Sequence, residues 1–261
     1  MTSSARQRRD DILSQAFERG SVVVKDLAEE FGVSEATVRR DLHALAEGGQ
    51  LVLTYGGAAL PRGGDFSFRS KSRRNVDAKD IIGRMAAELV RDGERLFLDS
   101  GTTCLATAQY LRAKKGLSVI LNSVRLAREL ETPGLSVIML GGKYRPERMD
   151  TVGPMATAAL EQLRGYVALI GADGLGMDFG LTAGDIDSAA LYRLAVRNAR
   201  ESILLADASK FAEPSLYKIV EWDAISRVVT EAPPPPHWQA FLAERTIEVI
   251  CPAPVADTTL G

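Results

Sequence analysis

Three short strings carry residues of the type and spacing needed to hold an anion or a sugar. Asp99-Ser100-Gly101-Thr102-Thr103 follows the apolar run Leu96 to Leu98 and precedes a helical pattern. Small residues let the backbone close around a phosphate, the two threonine hydroxyls donate, and the N–H groups of a helix start point outward. The same string also reads as a turn with an N-cap, so a phosphate cradle and a plain turn both stay open. Gly171-Ala172-Asp173-Gly174 follows a second apolar run, Val167 to Ile170. Its glycines permit close backbone approach, and Asp173 offers a carboxylate to a sugar hydroxyl. Asn122-Ser123 stands in the same relation to a third run, Val119 to Leu121.

A different chemistry is written between Val24 and His43. Leu27, Ala28 and Phe31 fall at helical spacing, with Lys25, Asp26, Glu29 and Glu30 on the other face. Gly32 follows, where a left-handed residue is cheapest, and Ser34 then stands as an N-cap. In the next helix Val38, Leu42 and Leu45 share one side, while Glu35, Thr37, Arg39 and Arg40 fall elsewhere, several near its start. Two short helices with the second presented outward form either a plain helical hairpin with a solvated face or a helix-turn-helix whose second helix enters the major groove. His43 lies on that second helix, where contact with DNA and simple exposure are both open.

These groups need two kinds of scaffold. Ile12, Leu13, Ala16 and Phe17 give a helix over residues 6–19, Ser21 to Val24 a short β-branched run, and Leu51 to Tyr55 a strand that turns at Gly56-Gly57. Residues 61–74, rich in Gly, Ser and Arg, read as a solvated linker, or as one in which Arg73 and Arg74 touch DNA flanks or Phe66, Phe68 and Arg69 dock. Beyond Asp77, apolar strand cores alternate with helices. Further strands are expected at 137–140, 203–206, 228–230 and 247–250, and helices at 155–163, 185–200 and 238–244, which argues a largely parallel sheet covered on both faces. Pro233 to Pro236 read as a stiff connector. In open sheets of this kind ligands collect at the carboxyl ends of the strands, where the three strings lie.

Composition sets limits. With 261 residues the chain has room for one small and one larger domain, and its 46% hydrophobic and 25% charged content is ordinary for a soluble protein. Cys104 and Cys251 are far apart and not in CxxC spacing, and His43 and His237 are too few and too separated for a metal or triad site. No disulfide, metal, cofactor or catalytic set is expected, and a reducing cytoplasm is the default. No apolar run reaches the roughly 18 residues of a membrane span. Net charge is −2, and residues 1–60 hold seven Lys/Arg against nine Asp/Glu. DNA binding therefore requires segregated charge, with Arg6, Arg8, Arg9, Arg39 and Arg40 toward phosphates.

The string Val-Ser-x-x-Thr-Val-Arg-Arg-Asp-Leu from Val33 to Leu42, then Gly48-Gly49-Gln50-Leu51 and Tyr55-Gly56-Gly57-Ala58, closely resembles the N-terminal signature of the DeoR family of bacterial transcriptional repressors. Gly141-Gly142, Gly180-Leu181-Thr182 and Ala206-Asp207-Ala208-Ser209-Lys210-Phe211, together with the three strings above, resemble its C-terminal sensor domain. The resemblance implies a winged helix-turn-helix over residues 1–60, a linker over 61–76, and an α/β sensor domain over 77–252 similar in fold to ribose-5-phosphate isomerase, with residues 253–261 a flexible tail. It implies operator DNA as partner, with Ser34, Glu35, Thr37, Arg39, Arg40, His43 and Tyr55 as contacts, and a homodimer or homotetramer. It implies a phosphorylated sugar or polyol effector, with phosphate held by Ser100, Gly101, Thr102 and Thr103, hydroxyls met by Asp173 and Asn122 beside Gly171, and a cation from Lys210. Asp99 and Arg145 join as further contacts. The wing departs from the family, which commonly places a basic residue or histidine before the Gly-Gly pair; here Leu53, Thr54 and Tyr55 precede it.

The implied fold also hosts sugar-phosphate isomerases, which place a glutamate base after a Lys-Gly-Gly segment. The corresponding Gly180 to Ser188 lacks that segment, and Asp185 and Asp187 sit where a helix begins, a position that stabilises carboxylates without catalysis. The expectation is a regulator of a sugar or polyol catabolic operon, read as a repressor. An activator of the same architecture and an isomerase with an accessory DNA-binding domain are the alternatives.

Overall fold

A computed structural model describes residues 5–47, 50–59, 68 and 71–253. Gly48-Gly49, most of the linker string with Phe66 and Arg69, and the tail beyond residue 253 lie outside the described residues, as does the side chain of Arg6. The chain divides into two compact units, Met1–Arg74 and Asn75–Gly261.

The first unit runs α1 (Ala5–Arg19), β1 (Ser21–Val23), α2 (Val24–Phe31), α3 (Glu35–Glu47), β2 (Val52–Thr54) and β3 (Gly57–Ala59). The apolar stripes of the three helices meet over a core of Ile12, Leu13, Ala16, Leu27, Val38, Leu42 and Leu45, closed by Val22, Leu51 and Ala58. Gly32 ends α2 with φ +61° and gives its N–H to the carbonyls of Ala28 and Glu29, the left-handed stop its position predicts. The three strands form one antiparallel sheet in the order β1-β3-β2, whose β2-β3 hairpin is the wing. At the C-terminal side of this unit, residues 71–73 are helical, and Ser72 Oγ donates to the Phe68 carbonyl at 2.8 Å. Phe68 is buried, so this part of the expected linker is not a solvated tether.

The second unit opens on α4 (Val76–Glu88) and continues β4 (Arg95–Leu98), α5 (Thr102–Leu111), β5 (Ser118–Leu121), α6 (Val124–Glu129) and β6 (Ser136–Met139). The hairpin β7 (Lys143–Arg145) and β8 (Asp150–Val152) follows, then α7 (Pro154–Glu161), β9 (Val167–Ile170), β10 (Gly174–Gly176) and β11 (Gly180–Ala183). The rest is α8 (Ile186–Asn198), β12 (Glu201–Leu205), β13 (Tyr217–Val220), β14 (Arg227–Val229), α9 (Pro236–Glu244) and β15 (Glu248–Ile250). Seven strands form a parallel sheet in the order β15-β14-β12-β9-β4-β5-β6. Alternation along each strand sends side chains to opposite faces. Phe97, Ala168, Ile170 and Leu204 pack with residues of α7, α8 and α9, while Leu96, Leu98, Val167, Leu169 and Ile203 pack with residues of α4, α5 and α6. Both faces are therefore dry, which is why the strands read as continuous apolar runs.

Two features differ from the periodicity reading. A second, antiparallel sheet β10-β11-β13 and the β7-β8 hairpin stand beside the parallel sheet. Pro236 is the first residue of α9 rather than part of a connector, since a fixed φ and a missing N–H suit that position.

Candidate nucleic-acid interface and ligand site

Ser34 is the N-cap its spacing predicts. Its Oγ accepts from the Thr37 N–H at 3.2 Å and lies 2.9 Å from the Thr37 hydroxyl, so both hydroxyls are engaged in ending the turn. Beyond the cap, Val38, Leu42 and Leu45 turn inward and Glu35, Ala36, Arg39, Arg40 and His43 stay exposed. At 100° per residue Ala36, Arg39, Arg40 and His43 share one outward face near the start of the helix. Arg39 pairs with Glu35 at 2.9 Å, an exposed i,i+4 contact that water screens. Among the described residues Arg40 Nε reaches only the Ala36 carbonyl, at 3.3 Å. Ala36, exposed on this face, was not among the predicted contacts. Tyr55 stands fully exposed at the wing tip, and Val52 and Leu53 are exposed beside it.

Arg8 is not placed as expected. Its Nε donates to Asp41 Oδ2 at 2.6 Å with both side chains 9% exposed, and Arg9 Nε lies 3.6 Å from the other Asp41 oxygen. Arg8 therefore neutralises a buried carboxylate and does not face phosphate. Asp41 itself lies on the apolar side of α3 between Val38 and Leu42, a phase at which a charge needs a partner.

In the second unit, strand order reverses between β4 and β9, and the loops after these two strands are the Asp99 and Gly171 strings. Open α/β sheets bind ligands at this kind of switch point. Here the two loops are joined by Asp99. Its carboxylate, 2% exposed, accepts from the Gly101 N–H at 2.5 Å and from the Gly171 N–H. A Cβ on Gly101 would lie 2.7 Å from Asp99 Oδ1, and one on Gly171 3.3 Å from Oδ2. The glycines of the two strings therefore make room for a carboxylate of the protein itself, and these two amides are not available to a ligand. Burial pushes the Asp99 carboxyl above its ordinary value, against the lowering effect of the Gly171 and Gly101 amides.

Ser100 is committed as well. Its Oγ donates to Asp150 at 3.1 Å and lies 2.7 Å from the Tyr192 hydroxyl, which also accepts from the Ser100 N–H at 3.2 Å. Asp150 is fully buried and takes a two-pronged contact from Arg145, Nε and Nη2 both at 2.7 Å. Arg145 Nη1 reaches Asp185 at 2.9 Å and its Nη2 reaches Ser188 Oγ at 3.0 Å, while Arg148 bridges Asp185 and Asp150. Asp185 caps α8, accepting from the Ser188 N–H at 2.9 Å. Burial raises its carboxyl, but the Ser188 amide, Arg148 and Arg145 outweigh that and hold it at about 2. It is an ionised helix cap, not a poised base. Two arginines and two aspartates make this hub neutral, and Arg148, Asp150 and Tyr192 were not singled out from sequence.

The remaining predicted groups lie at the same strand ends. Asn122 is buried after β5; its Nδ2 donates to the Thr151 carbonyl at 2.8 Å, and its Oδ1 has no partner among the described residues. Asp173 accepts from the Gly184 N–H at 2.7 Å. Lys210 follows β12 in a 3-10 turn, 4.0 Å from Asp207, whose carboxyl is lowered although burial alone would raise it. Thr102 and Thr103 begin α5, Thr102 partly exposed and Thr103 buried. Of the predicted phosphate cradle, the α5 start is the part not already occupied by Asp99, Asp150 and Tyr192. Cys104 is buried, with its thiol pushed up by burial, and Cys251 is also free.

Comparisons with known proteins cover both units. Residues 8–62 match the family model described as the DeoR-like helix-turn-helix domain, and residues 74–232 the one described as the DeoR C terminal sensor domain. The chain is 30% identical to a putative aga operon transcriptional repressor of Escherichia coli O157:H7, over 94% of this chain and 93% of that one. It is 29% identical to the glycerol-3-phosphate regulon repressor of Escherichia coli K12, over 93% and 97%. To the HTH-type transcriptional repressor GlcR of Bacillus subtilis it is 31% identical, over 92% and 93%. Among solved structures, a D-ribose-5-phosphate isomerase in complex with phospho-erythronic acid aligns with TM-score 0.39 and 16% identity, covering 52% of this chain and 53% of that one. No helix among the described residues is long and apolar enough to cross a membrane.

Proposed function

The chain belongs to the DeoR family of transcriptional regulators, and from that premise we propose that it represses a sugar or polyol catabolic operon and releases its operator on binding a phosphorylated metabolite. Its relatives include repressors of sugar and glycerol-phosphate genes, which supports the repressor reading over the activator.

The observation that carries the DNA half is the outward face of α3. Arg39 and Arg40 meet phosphates or guanine edges, Ala36 and His43 meet bases, and Ser34, Glu35 and Thr37 set the start of the helix against the groove. Tyr55 extends the contact from the wing. One such module binds weakly at physiological salt, so repeated half-sites read by a dimer or tetramer complete the affinity.

The effector half rests on the switch point between β4 and β9. We assign the phosphate to the Thr102-Thr103 start of α5, a helix start that carries no side-chain cap. Ser100, Gly101, Gly171 and Asp99 hold the loops in shape, Arg145 with Arg148 braces them through Asp150, and Asp173, Asn122 and Lys210, which follow β9, β5 and β12, are assigned to the sugar end. Asp185, held ionised by two arginines, is not in the state of a proton-transferring base, which favours sensing over isomerisation. Binding switches the protein only if the metabolite prefers the state that has released DNA.

A thermal-shift panel of phosphorylated sugars and sugar alcohols tests the effector half. A true effector at about 100 times its Kd adds roughly 2.7 kcal/mol of stability. Its addition also lowers affinity for the promoter duplex. A compound that stabilises the chain without touching operator affinity contradicts the switching role.

A further inference from the structure

Asn75 is the first residue of the second unit, directly after Arg74. It stands at the N-cap of α4, where an asparagine ordinarily takes an extended backbone and accepts a helix N–H with its side chain. Asn75 does neither. Its backbone is left-handed, with φ +50°, and its side chain makes no cap bond. Asparagine tolerates that conformation better than most residues, yet it costs free energy and persists where contacts hold it. The contact here is distant in sequence: Asn75 Nδ2 donates to Asp207 Oδ1 at 2.8 Å and lies 3.4 Å from Ser209 Oγ.

Asp207 lies just beyond β12, at the strand ends where the effector contacts are assigned. A Cβ on Gly171 would lie 3.8 Å from the Leu205 carbonyl oxygen, so the loop after β9 and the end of β12 adjoin. The Asp207 side chain is buried. Ser209 donates to its Oδ1 twice, from the N–H at 3.1 Å and from the hydroxyl, while Lys210 Nζ lies 4.0 Å from Oδ2. Lys79, one turn along α4, gives its N–H to the Asn75 carbonyl at 2.9 Å and is buried as well. Burial raises the Asp207 carboxyl, but Lys210, Ser209, Asn75 and Lys79 outweigh it and hold the group ionised.

One buried carboxylate therefore serves two ends. Its Oδ1 holds the Asn75 turn, and its Oδ2 faces Lys210, the cation assigned above to the effector. A contact of 4.0 Å is loose enough for Lys210 to turn to a phosphate, whose oxygens offer shorter, charge-assisted bonds. A carboxylate this buried that loses a counter-charge leans harder on the donors left to it, here Asn75 and Ser209 with the charge of Lys79.

We propose that Asn75, acting through Asp207, is the positioning residue that passes phosphate occupancy at Lys210 to the first turn of α4 and to the peptide joining it to Arg74. This rests on the reading of Lys210 as an effector contact in a repressor. The test is a double-mutant cycle in the full chain, which needs no effector. Lys210→Met keeps the length of the side chain and withdraws its charge from Asp207, as a bound phosphate does. Asn75→Gly keeps the left-handed backbone accessible and removes the amide. Operator affinity is read by fluorescence anisotropy on a duplex from the chain's own promoter region, and opening of α4 by hydrogen exchange at the amides of Lys79 to Ile82. With Asn75 present, Lys210→Met is expected to weaken operator binding roughly tenfold and to slow that exchange; in the Asn75→Gly background it should change neither by more than about twofold. If Asn75 is merely structural, its loss lowers stability and leaves the effect of Lys210→Met the same in both backgrounds, which overturns the proposal. So does a Lys210→Met chain that matches wild type in both readouts. A wild-type chain without preference for the promoter duplex removes the repressor reading instead, and the exchange cycle, which involves no DNA, then decides the relay by itself.

Discussion

Three arginines within the first unit show how residues of one type separate by surroundings. Arg39 and Arg40 are exposed, and each phosphate contact they make releases counterions. Arg39→Ala with Arg40→Ala should weaken operator binding and flatten the dependence of log K on log salt by roughly two units, measured by fluorescence anisotropy across a salt series. Arg8 is buried against Asp41, so Arg8→Ala leaves that buried carboxylate with only the half-exposed Arg9 beside it and should cost about 3 kcal/mol in denaturant unfolding of this unit while leaving the salt slope of the folded protein unchanged. Composition grouped Arg8 with the phosphate-facing arginines because nothing in its immediate neighbours marks it. The legible signal was Asp41, an acid at an apolar phase of α3. At the ligand site, Thr102→Glu places a carboxylate at the α5 start and should abolish the effector's thermal shift with operator binding intact. A retained shift would move the phosphate elsewhere.

At the level of elements, the Arg145-Arg148-Asp150-Asp185 hub ties the β7-β8 hairpin to the start of α8 and, through Ser100, to the loop after β4. Acid should therefore loosen the site from this hub. Asp185, held at about 2, contributes stability that is complete above its ordinary value of 3.8 and is lost as pH falls between them. Unfolding free energy followed through that window should show a smaller pH slope in Asp185→Asn than in wild type, and an identical slope would remove Asp185 from the account. The parallel strands were legible because both faces are buried and their apolar runs are continuous. The hairpin and the antiparallel sheet were not, because Lys143-Tyr144-Arg145 and Gly174-Leu175-Gly176 lack strand composition. Gly174 shows why: a Cβ there would fall 2.1 Å from the Glu213 carbonyl oxygen, so close backbone packing, not β propensity, fixes the residue. The Asp99 string lies at the strand end its sequence position predicts, but part of it is taken up by the protein's own groups. Its small residues accommodate Asp99 and Tyr192, a role that depends on contacts distant in sequence, Gly171 and Tyr192, which spacing alone does not reveal.

At the scale of the molecule, the chain joins a DeoR-like helix-turn-helix to a sensor domain whose strand order turns between β4 and β9, where the proposed effector would bind. The two halves make one device only if the ligand's binding energy differs between the DNA-bound and DNA-free states. The most direct measurement is the affinity of the full chain for a duplex from its own promoter region and for a random duplex of equal length, across a salt series, without and with the metabolite chosen by thermal shift. The account predicts a preference for the promoter duplex that persists as salt rises, and its loss when the metabolite is added. Equal affinity for the two duplexes at every ionic strength would contradict it.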